Sequence, residues 1–155
     1  MFRLVDVELF IERVRRRDSL AGADLRDADP FIVDLTVMDL READLSRVTL
    51  PYETGEKRWS SGLTDPVRMA RRHVRLRGAD LTGARLDRIL GGDGDFREAR
   101  LVRASLVEAD LQYADFTLAD LTGADFTGAD LERARLLATV YDGTTRWPDG
   151  FEPPN

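Results

Sequence analysis

The chain has 155 residues, of which 43% are hydrophobic and 34% charged, and its formal net charge is −6 at pH 7. These proportions suit one folded domain with enough apolar material for a core. There is no cysteine, and His73 is the one histidine. Disulfide frameworks, thiolate metal sites and imidazole clusters are therefore excluded, and we expect neither a metal nor a cofactor.

The start of the chain predicts a short helix. Apolar residues follow helical spacing at Val7, Phe10, Ile11 and Val14. Arginines occupy positions 15–17, where the C-terminal end of a helix favours positive charge. We expect a capping helix at about residues 5–16 inside an N-terminal cap at 1–17. The charges follow the apolar stretch, which is the reverse of a secretory signal, and no run approaches a membrane span, so we expect a cytoplasmic protein.

A repeat of five residues dominates 18–50 and 76–138. Its centre is Leu or Phe, with Pro30 and Gly91 as exceptions, and the unit reads A-D-L-x-x. A period of five fits neither the 3.6-residue helix turn nor strand alternation. If each pentapeptide forms one side of a square coil, the centre and the small residue two positions before it both point inward. Stacked coils would then bury a continuous column, at roughly strand spacing of ~4.8 Å.

This pattern resembles the pentapeptide-repeat family, because the same two inward positions recur throughout both repeat segments. The resemblance implies an all-β solenoid, namely a right-handed quadrilateral β-helix with four pentapeptides per coil and about five coils. At ~4.8 Å per coil, such a rod would be on the order of 25 Å long. Residues 1–155 would then form a single pentapeptide-repeat domain with capped ends, because open terminal coils expose apolar surface.

Residues 51–75 interrupt the repeat, and the centres return one residue out of phase. This segment reads as an inserted arm. Thr64-Asp65-Pro66 offers a helix N-cap followed by proline at the first helical position, so the arm is expected to contain a short helix. The arm holds six basic and three acidic residues, a net charge of +3 in a chain of net −6. It is therefore a basic arm on an acidic rod.

After Leu136 the repeat dissolves into a tail at 139–155. Tyr141, Trp147 and Phe151 could fold over the last coil, and the prolines that follow would end the chain's regular structure. This tail is similar to segments that close other members of the family. It does not resemble a dimerising helix, so a monomer is favoured.

Aspartate before the centre is the first candidate interaction feature. In the second repeat segment it stands at Asp110, Asp115, Asp120, Asp125 and Asp130. One interpretation is an acidic collar that mimics the phosphates of DNA, as some family members that bind DNA gyrase are thought to do. The other is that a short Asp side chain bonds nearby backbone N–H groups at the corner. We favour the second interpretation, since rings of charge on all faces suit solubility better than docking.

The inserted arm is the second candidate, because long loops on a rigid scaffold often carry function. It offers side chains of the types enriched at interface hot spots, at Tyr52, Arg58, Trp59, Arg68, Arg71 and Arg72. The alternative is that Trp59 and Met69 tuck the arm against its own rod. The negative remainder of the chain argues against direct nucleic-acid binding.

Two further sequence features are weaker indications of function. Residues 91–96, GGDGDF, briefly resemble a calcium-binding turn, but the motif occurs once and the repeat passes through it in phase, which favours a glycine-rich corner. No nucleophile lies near His73 in sequence, and a filled core leaves no substrate pocket, so we predict no catalytic residues.

The sequence thus predicts a non-catalytic protein-interaction scaffold that binds a protein partner through its rod surface and its arm. The alternative is a DNA-mimic protein of the quinolone-resistance type that binds DNA gyrase or topoisomerase. The regular repeats and the proline-containing tail favour the first. The partner itself is not identified by the sequence.

Overall fold

The structure is a computed structural model that describes residues 2–3, 7–26, 35–46 and 75–154. Its regular elements are strand β1 (Phe2–Arg3), helix α1 (Val7–Arg16) and strand β2 (Ala23–Asp24). The rest of the described chain consists of turns joined by single-residue bridges. No helix within the described ranges is long and apolar enough to cross a membrane.

The bridges define a coil of twenty residues. Arg75 pairs in parallel with Asp95, Asp95 with Asp115, and Asp115 with Arg135. A step of twenty contains four pentapeptides, so each coil has four faces. We number the faces by their described centres. Face 1 has Leu20, Leu40, Leu81, Leu101 and Leu121; face 2 has Leu25, Leu45, Leu86, Leu106 and Phe126; face 3 has Gly91, Leu111 and Leu131; face 4 has Leu35, Leu76, Phe96, Phe116 and Leu136.

The core is a filled column. From residue 76 to residue 131, every centre and every residue two positions before a centre is buried. The largest side chains stack along this column: the rings of Phe96 and Phe116 lie 4.8 Å apart, and Phe116 meets Phe126 edge to face at 5.9 Å. Since Ala alternates with these large residues, two side chains per pentapeptide fill the interior without leaving room for more. The predicted all-β solenoid is confirmed.

A tight turn closes each corner. The N–H two positions before a centre donates to the carbonyl of the preceding centre, as from Ala119 to Phe116 at 2.8 Å. The third residue of the turn has a positive φ, for example 63° at Leu118 and 68° at Gly123. This combination is that of a type II turn, in which Gly is favoured at that position. The repeat nevertheless has Glu, Arg, Tyr and Leu at this position. They are tolerated because hydrogen bonds to the neighbouring coils hold the backbone in this conformation.

The phase change across the arm has a simple geometric cause. Asp39 pairs with Asp80, and Asp44 pairs with Arg85, so both pairs are separated by 41 residues instead of twenty. The chain between them therefore contains 21 extra residues, which is one coil plus one residue. They lie between Ser46, which follows the face 2 centre Leu45, and Arg75, whose carbonyl accepts the N–H of Leu35 on face 4.

The glycine-rich segment at 91–96 is an ordinary part of the coil. Gly91 is a centre without a side chain, and the Phe96 ring fills the space: a Cβ on Gly91 would lie 3.7 Å from its Cζ, and a Cβ on Gly94 only 2.6 Å from its Cε2. Both glycines therefore complement the aromatic centre. Among the described residues, no group of three or more His, Cys, Asp or Glu is placed to hold a metal ion.

Different elements pack against the two ends of the column. At the start, β1 pairs in parallel with β2, and Phe10 and Val14 of α1 join the buried core. At the other end, Trp147 stacks on Phe126 at 5.2 Å, and Phe151 stacks on Trp147 at 5.4 Å. Tyr141 contacts Trp147 edge to face at 5.3 Å. The three aromatic residues singled out in the tail thus pack together over the last coil.

Candidate interaction surface

Three positions of each pentapeptide point outward: the residue before the centre and the two turn residues after it. Because the interior is filled, these positions supply the surface that a partner can touch. Each of these positions has a different role in the backbone.

The aspartate before the centre completes the hydrogen bonding of the repeat. In residues 116–120, one N–H, that of Thr117, lacks a backbone acceptor, and the Asp115 carboxylate accepts it at 3.0 Å. The other four N–H groups donate to carbonyls, from Phe116 to Arg135, Leu118 to Leu137, Ala119 to Phe116 and Asp120 to Ala99. A buried or half-buried N–H without an acceptor costs free energy, so an acceptor at this position is favoured in every repeat.

The five predicted aspartates all make this bond. Each carboxylate accepts the N–H two residues ahead, as Asp110 does from Gln112 at 3.3 Å and Asp130 does from Glu132 at 2.9 Å. Asp120 and Asp125 also accept the hydroxyl of Thr122 and Thr127. The same contact recurs before the arm, where Asp44 accepts the N–H of Ser46 at 3.0 Å.

The coil distributes these five aspartates over its four faces. Asp110 and Asp130 pair with each other on face 3, whereas the other three lie one on each remaining face: Asp115 on face 4, Asp120 on face 1 and Asp125 on face 2. They therefore circle the rod once and form no stripe along it.

Arginine neutralises many of the carboxylates. Arg97 contacts Asp95 at 2.7 Å, and Arg88 contacts Glu108 at 2.6 Å. Arg26 lies 2.7 Å from Asp24 and 3.5 Å from Asp44, two carboxylates that are buried on face 2. The acidic surface expected from the net charge is thus interrupted by ion pairs over much of the described rod.

Hydrogen bonds hold several of these carboxylates in the charged form. The side chain of Arg97 lowers the pKa of Asp95, and the side chain of Arg41, followed by Ser19, lowers the pKa of Asp39. For Asp130, the backbone N–H of Glu132 is the main cause of the lowered pKa. These shifts belong to contacts within the coil, so they indicate structural carboxylates and not an acid–base pair.

Exposed apolar side chains are the feature that sequence reasoning missed. Among the described residues, the exposed large apolar side chains are Val37, Leu90, Tyr113, Leu118, Leu137 and Val140. Each occupies an outward position of a repeat, or of its continuation after Leu136, where polar residues are more usual. An apolar residue at an outward position is the signal that would have found them.

The predicted arm residues lie outside the described residues. This applies to Tyr52, Arg58, Trp59, Arg68, Arg71 and Arg72, to His73, and to the helix expected after Thr64. The structure describes one residue of the arm, Arg75, which is exposed and pairs with Asp95.

The fold and the outward surface define a solenoid built from five-residue units. Residues 95–136 match the family model described as pentapeptide repeats, in eight copies. Residues 95–136 thus consist of pentapeptide repeats, and the resemblance drawn from the sequence is confirmed. None of the curated proteins compared with the chain matches it significantly.

Several solved structures are similar to this chain. A trypsin-treated variant of QnrB1, a plasmid-mediated fluoroquinolone resistance protein, is similar with a TM-score of 0.53 and 13% identity, covering 81% of this chain and 61% of that one. A pentapeptide repeat protein from the Arabidopsis thaliana thylakoid lumen is 25% identical over 76% of this chain and 71% of that one, with a TM-score of 0.43. HetL from a Nostoc cyanobacterium, involved in heterocyst differentiation regulation, is 28% identical over 80% of this chain and 51% of that one, with a TM-score of 0.30. The likeness to QnrB1 concerns the fold, and this chain spans 61% of that chain's length.

Proposed function

We propose that this protein is a non-catalytic protein-interaction scaffold that binds a protein partner through the outward positions of its coils and through the inserted arm. The observation that supports this function is the filled core, in which centres and small residues are buried from residue 76 to residue 131. A column without internal space has no place for a substrate, so recognition falls to the outer side chains. The scaffold is a right-handed β-helix of about five coils, with α1 as its N-terminal cap.

The dimensions of the rod limit how a partner can bind. One face is roughly 10 Å wide and about five coils of ~4.8 Å high, which offers on the order of 250 Å². Stable interfaces bury about 800 Å² on each partner. A stable partner must therefore cross at least one corner and contact two or more faces, or contact the rod and the arm together.

The arm residues Tyr52, Arg58, Trp59, Arg68, Arg71 and Arg72 are proposed to add contacts of the hot-spot type beside the coils. Asp110, Asp115, Asp120, Asp125 and Asp130 are proposed to act as surface charges in addition to their bonds to the backbone. Because these aspartates lie on four faces, a partner on one corner can contact only some of them at once.

A gyrase-directed DNA mimic of the quinolone-resistance type is the second candidate, and the fold likeness to QnrB1 is the observation that favours it. The placement of the carboxylates argues against it. A phosphate mimic needs charges in rows along the rod, whereas these aspartates circle it, and arginines such as Arg97 and Arg88 neutralise neighbouring carboxylates. A supercoiling assay separates the two functions: a scaffold leaves purified gyrase and its quinolone sensitivity unchanged, and inhibition or protection would support the mimic.

A pull-down from native lysate with the intact protein tests the scaffold function. The matched control has residues 52–74 replaced by a short Gly/Ser link, with circular dichroism to show that both proteins fold. A partner captured by the intact protein and lost with the arm places the contact on the arm, and a partner kept by both places it on the coils. Failure of both proteins to enrich any partner at near-physiological salt would contradict the scaffold function.

A further inference from the structure

Three exposed apolar side chains lie together near the C-terminal end of the rod. Leu118 and Leu137 are turn residues of face 4 in consecutive coils, and the Leu118 N–H donates to the Leu137 carbonyl at 2.9 Å. Val140 follows on face 1, where it pairs with Asp120, two residues after Leu118. Their exposed fractions are 58%, 72% and 59%. We name Leu118, Leu137 and Val140 the apolar corner.

Face 1, which holds Val140, also carries two arginines that differ from the others in the coils. From residue 76 to residue 154, every arginine except Arg100 and Arg103 has a carboxylate oxygen within 4.0 Å. Arg100 pairs with Asp120 through the backbone on face 1, in the same column as Val140. Arg103 lies at the other edge of face 1, three residues further along, and its Cγ covers Gly123.

The combination of these groups is unlike the rest of the rod. A cluster of three exposed large aliphatic side chains presents roughly 300 Å² of apolar surface, the size at which patches on monomers are often functional. Leu90 and Tyr113, the other exposed apolar residues between 76 and 154, lie on face 3, across the column from face 1, together with Asp93, Asp110 and Asp130. The two sides thus differ in charge as well as in apolar area.

We infer that the apolar corner with Arg100 and Arg103 is a docking site for an acidic peptide segment that carries large apolar side chains. This inference rests on the proposed interaction function and names one site within it. The apolar side chains of the segment cover Leu118, Leu137 and Val140, and its carboxylates pair with the two guanidinium groups, which have no carboxylate partner of their own.

The site also selects against other occupants. A nucleic acid would gain two phosphate contacts from the arginines, but it would leave the apolar corner uncovered and meet Asp120 and a chain of net −6. Asp120 separates Arg100 from Val140 in the column and is engaged by the Thr122 N–H and hydroxyl. A peptide must therefore place its carboxylates toward Arg100 and Arg103 and keep its apolar residues over the corner.

Selection from a random twelve-residue peptide library on the intact protein tests the inference. We expect the selected peptides to be rich in Asp, Glu and large apolar residues. Their affinity, measured by fluorescence anisotropy, should fall about tenfold or more for Leu118→Ser and for the double variant Arg100→Glu with Arg103→Glu. Leu90→Ser and Arg133→Glu on face 3 are the matched controls and should change the affinity less than about twofold.

Three results would overturn the inference: selection of basic peptides, equal binding by the corner variants and the controls, or failure to select any peptide. If peptides bind the controls and corner variants alike, the docking site fails while the scaffold function stands, since the rod still binds peptides elsewhere. Failure of the intact protein to capture any partner from lysate would instead contradict the scaffold function itself. Circular dichroism of each variant separates lost binding from lost folding.

Discussion

At the residue scale, the preference for Asp in the repeat follows from the acceptors that the backbone N–H groups need. In residues 116–120, four of the five find carbonyl acceptors in the turn or in neighbouring coils, and the Asp115 carboxylate supplies the fifth acceptor. Where Ser105 replaces Asp, Asp87 in the preceding coil accepts both the Val107 N–H and the Ser105 hydroxyl. The preference for Asp therefore follows from the geometry of the coil, and it does not by itself indicate a binding partner.

Replacement of Asp120 tests this role. Asp120→Ala removes the acceptor of the Thr122 N–H and should lower the free energy of unfolding by about 1 kcal/mol, as loss of a helix N-cap does. Asp120→Asn keeps an acceptor oxygen and should cost less than half as much. Urea unfolding measures both. Equal losses would indicate that the negative charge, and not the bond, stabilises the coil.

Gly94 tests the fit of the glycine-rich segment around Phe96. A Cβ at residue 94 would lie 2.6 Å from the Phe96 ring and 2.8 Å from the Gly91 carbonyl oxygen. Gly94→Ala should therefore destabilise the protein by about 1–3 kcal/mol through overpacking. Gly143→Ala is the control, because nothing lies within 4 Å of the added methyl group. Thermal unfolding that shifts equally for both variants would contradict the packing argument.

At the element scale, each pentapeptide is one side of a coil and is held mainly by the coils on either side. Leu106 and Glu108 donate to carbonyls of the next coil, and Asp110 donates to a carbonyl of the previous one. This explains how eleven of the turn positions in the described coils keep residues other than glycine at positive φ. The neighbouring coils determine the conformation, and the local sequence only has to tolerate it.

Acid should weaken the coils through their carboxylates. The pKa values of Asp39, Asp95 and Asp130 are lowered in the folded protein by hydrogen bonds from Arg41, Arg97 and Glu132. Groups with a lowered folded pKa add stability that is fully present above the unfolded value of about 3.9 and is lost as pH falls through the folded pKa. We expect constant contributions from pH 7 to about 5 and a falling denaturant midpoint below about pH 4.

The variant Asp95→Asn is the control for the acid effect, because it cannot titrate at that position. Its stability should be lower than that of the parent protein at pH 7, and the difference should narrow as the pH falls below about 4. A difference that stays constant down to pH 2 would contradict the assignment.

At the scale of the whole molecule, a solenoid is stabilised by contacts between neighbouring coils. The terminal coils have a neighbour on one side only, so they need a cover to keep the apolar column away from water. Coil contacts run without interruption from Leu76 to the tail, where Leu121 and Phe126 donate their N–H groups to carbonyls of Val140 and Arg146. The tail thus continues two faces of the coil before its aromatic rings cover the column.

Trp147→Ala tests the importance of this cover. Trp147 contacts Phe126, Tyr141 and Phe151, and its removal should cost about 3 kcal/mol, within the range for large aromatic truncations. Since the contacts are local, hydrogen exchange should lose protection at the Leu121 and Phe126 amides before the Leu81 amide. Tyr113→Ala on the exposed surface is the control. Uniform loss of protection along the rod would contradict a role confined to the C-terminal end.

Much of the fold could be predicted because its signal is repeated. Leu, Phe and Ala recur at two fixed positions, so the inward residues and the period of five were evident without structure. Leu118 and Val140 were not identified as surface features, because a single apolar residue at an outward position has no meaning until its neighbours in the next coil are known. Arg100 and Arg103 could not be distinguished from the other arginines by sequence, since ion pairing depends on side chains about twenty residues away.

The sequence by itself determined the solenoid, its inward column and the resemblance to pentapeptide repeats, because each pentapeptide has the same local requirements and repeats them along the chain. Only the tertiary structure decided which outward residues meet. Stacking places residues twenty apart in contact, and 41 apart across the arm, so the surface is assembled from distant parts of the chain. The separation of the aspartates onto four faces and the meeting of Leu118, Leu137 and Val140 at one corner both follow from that stacking.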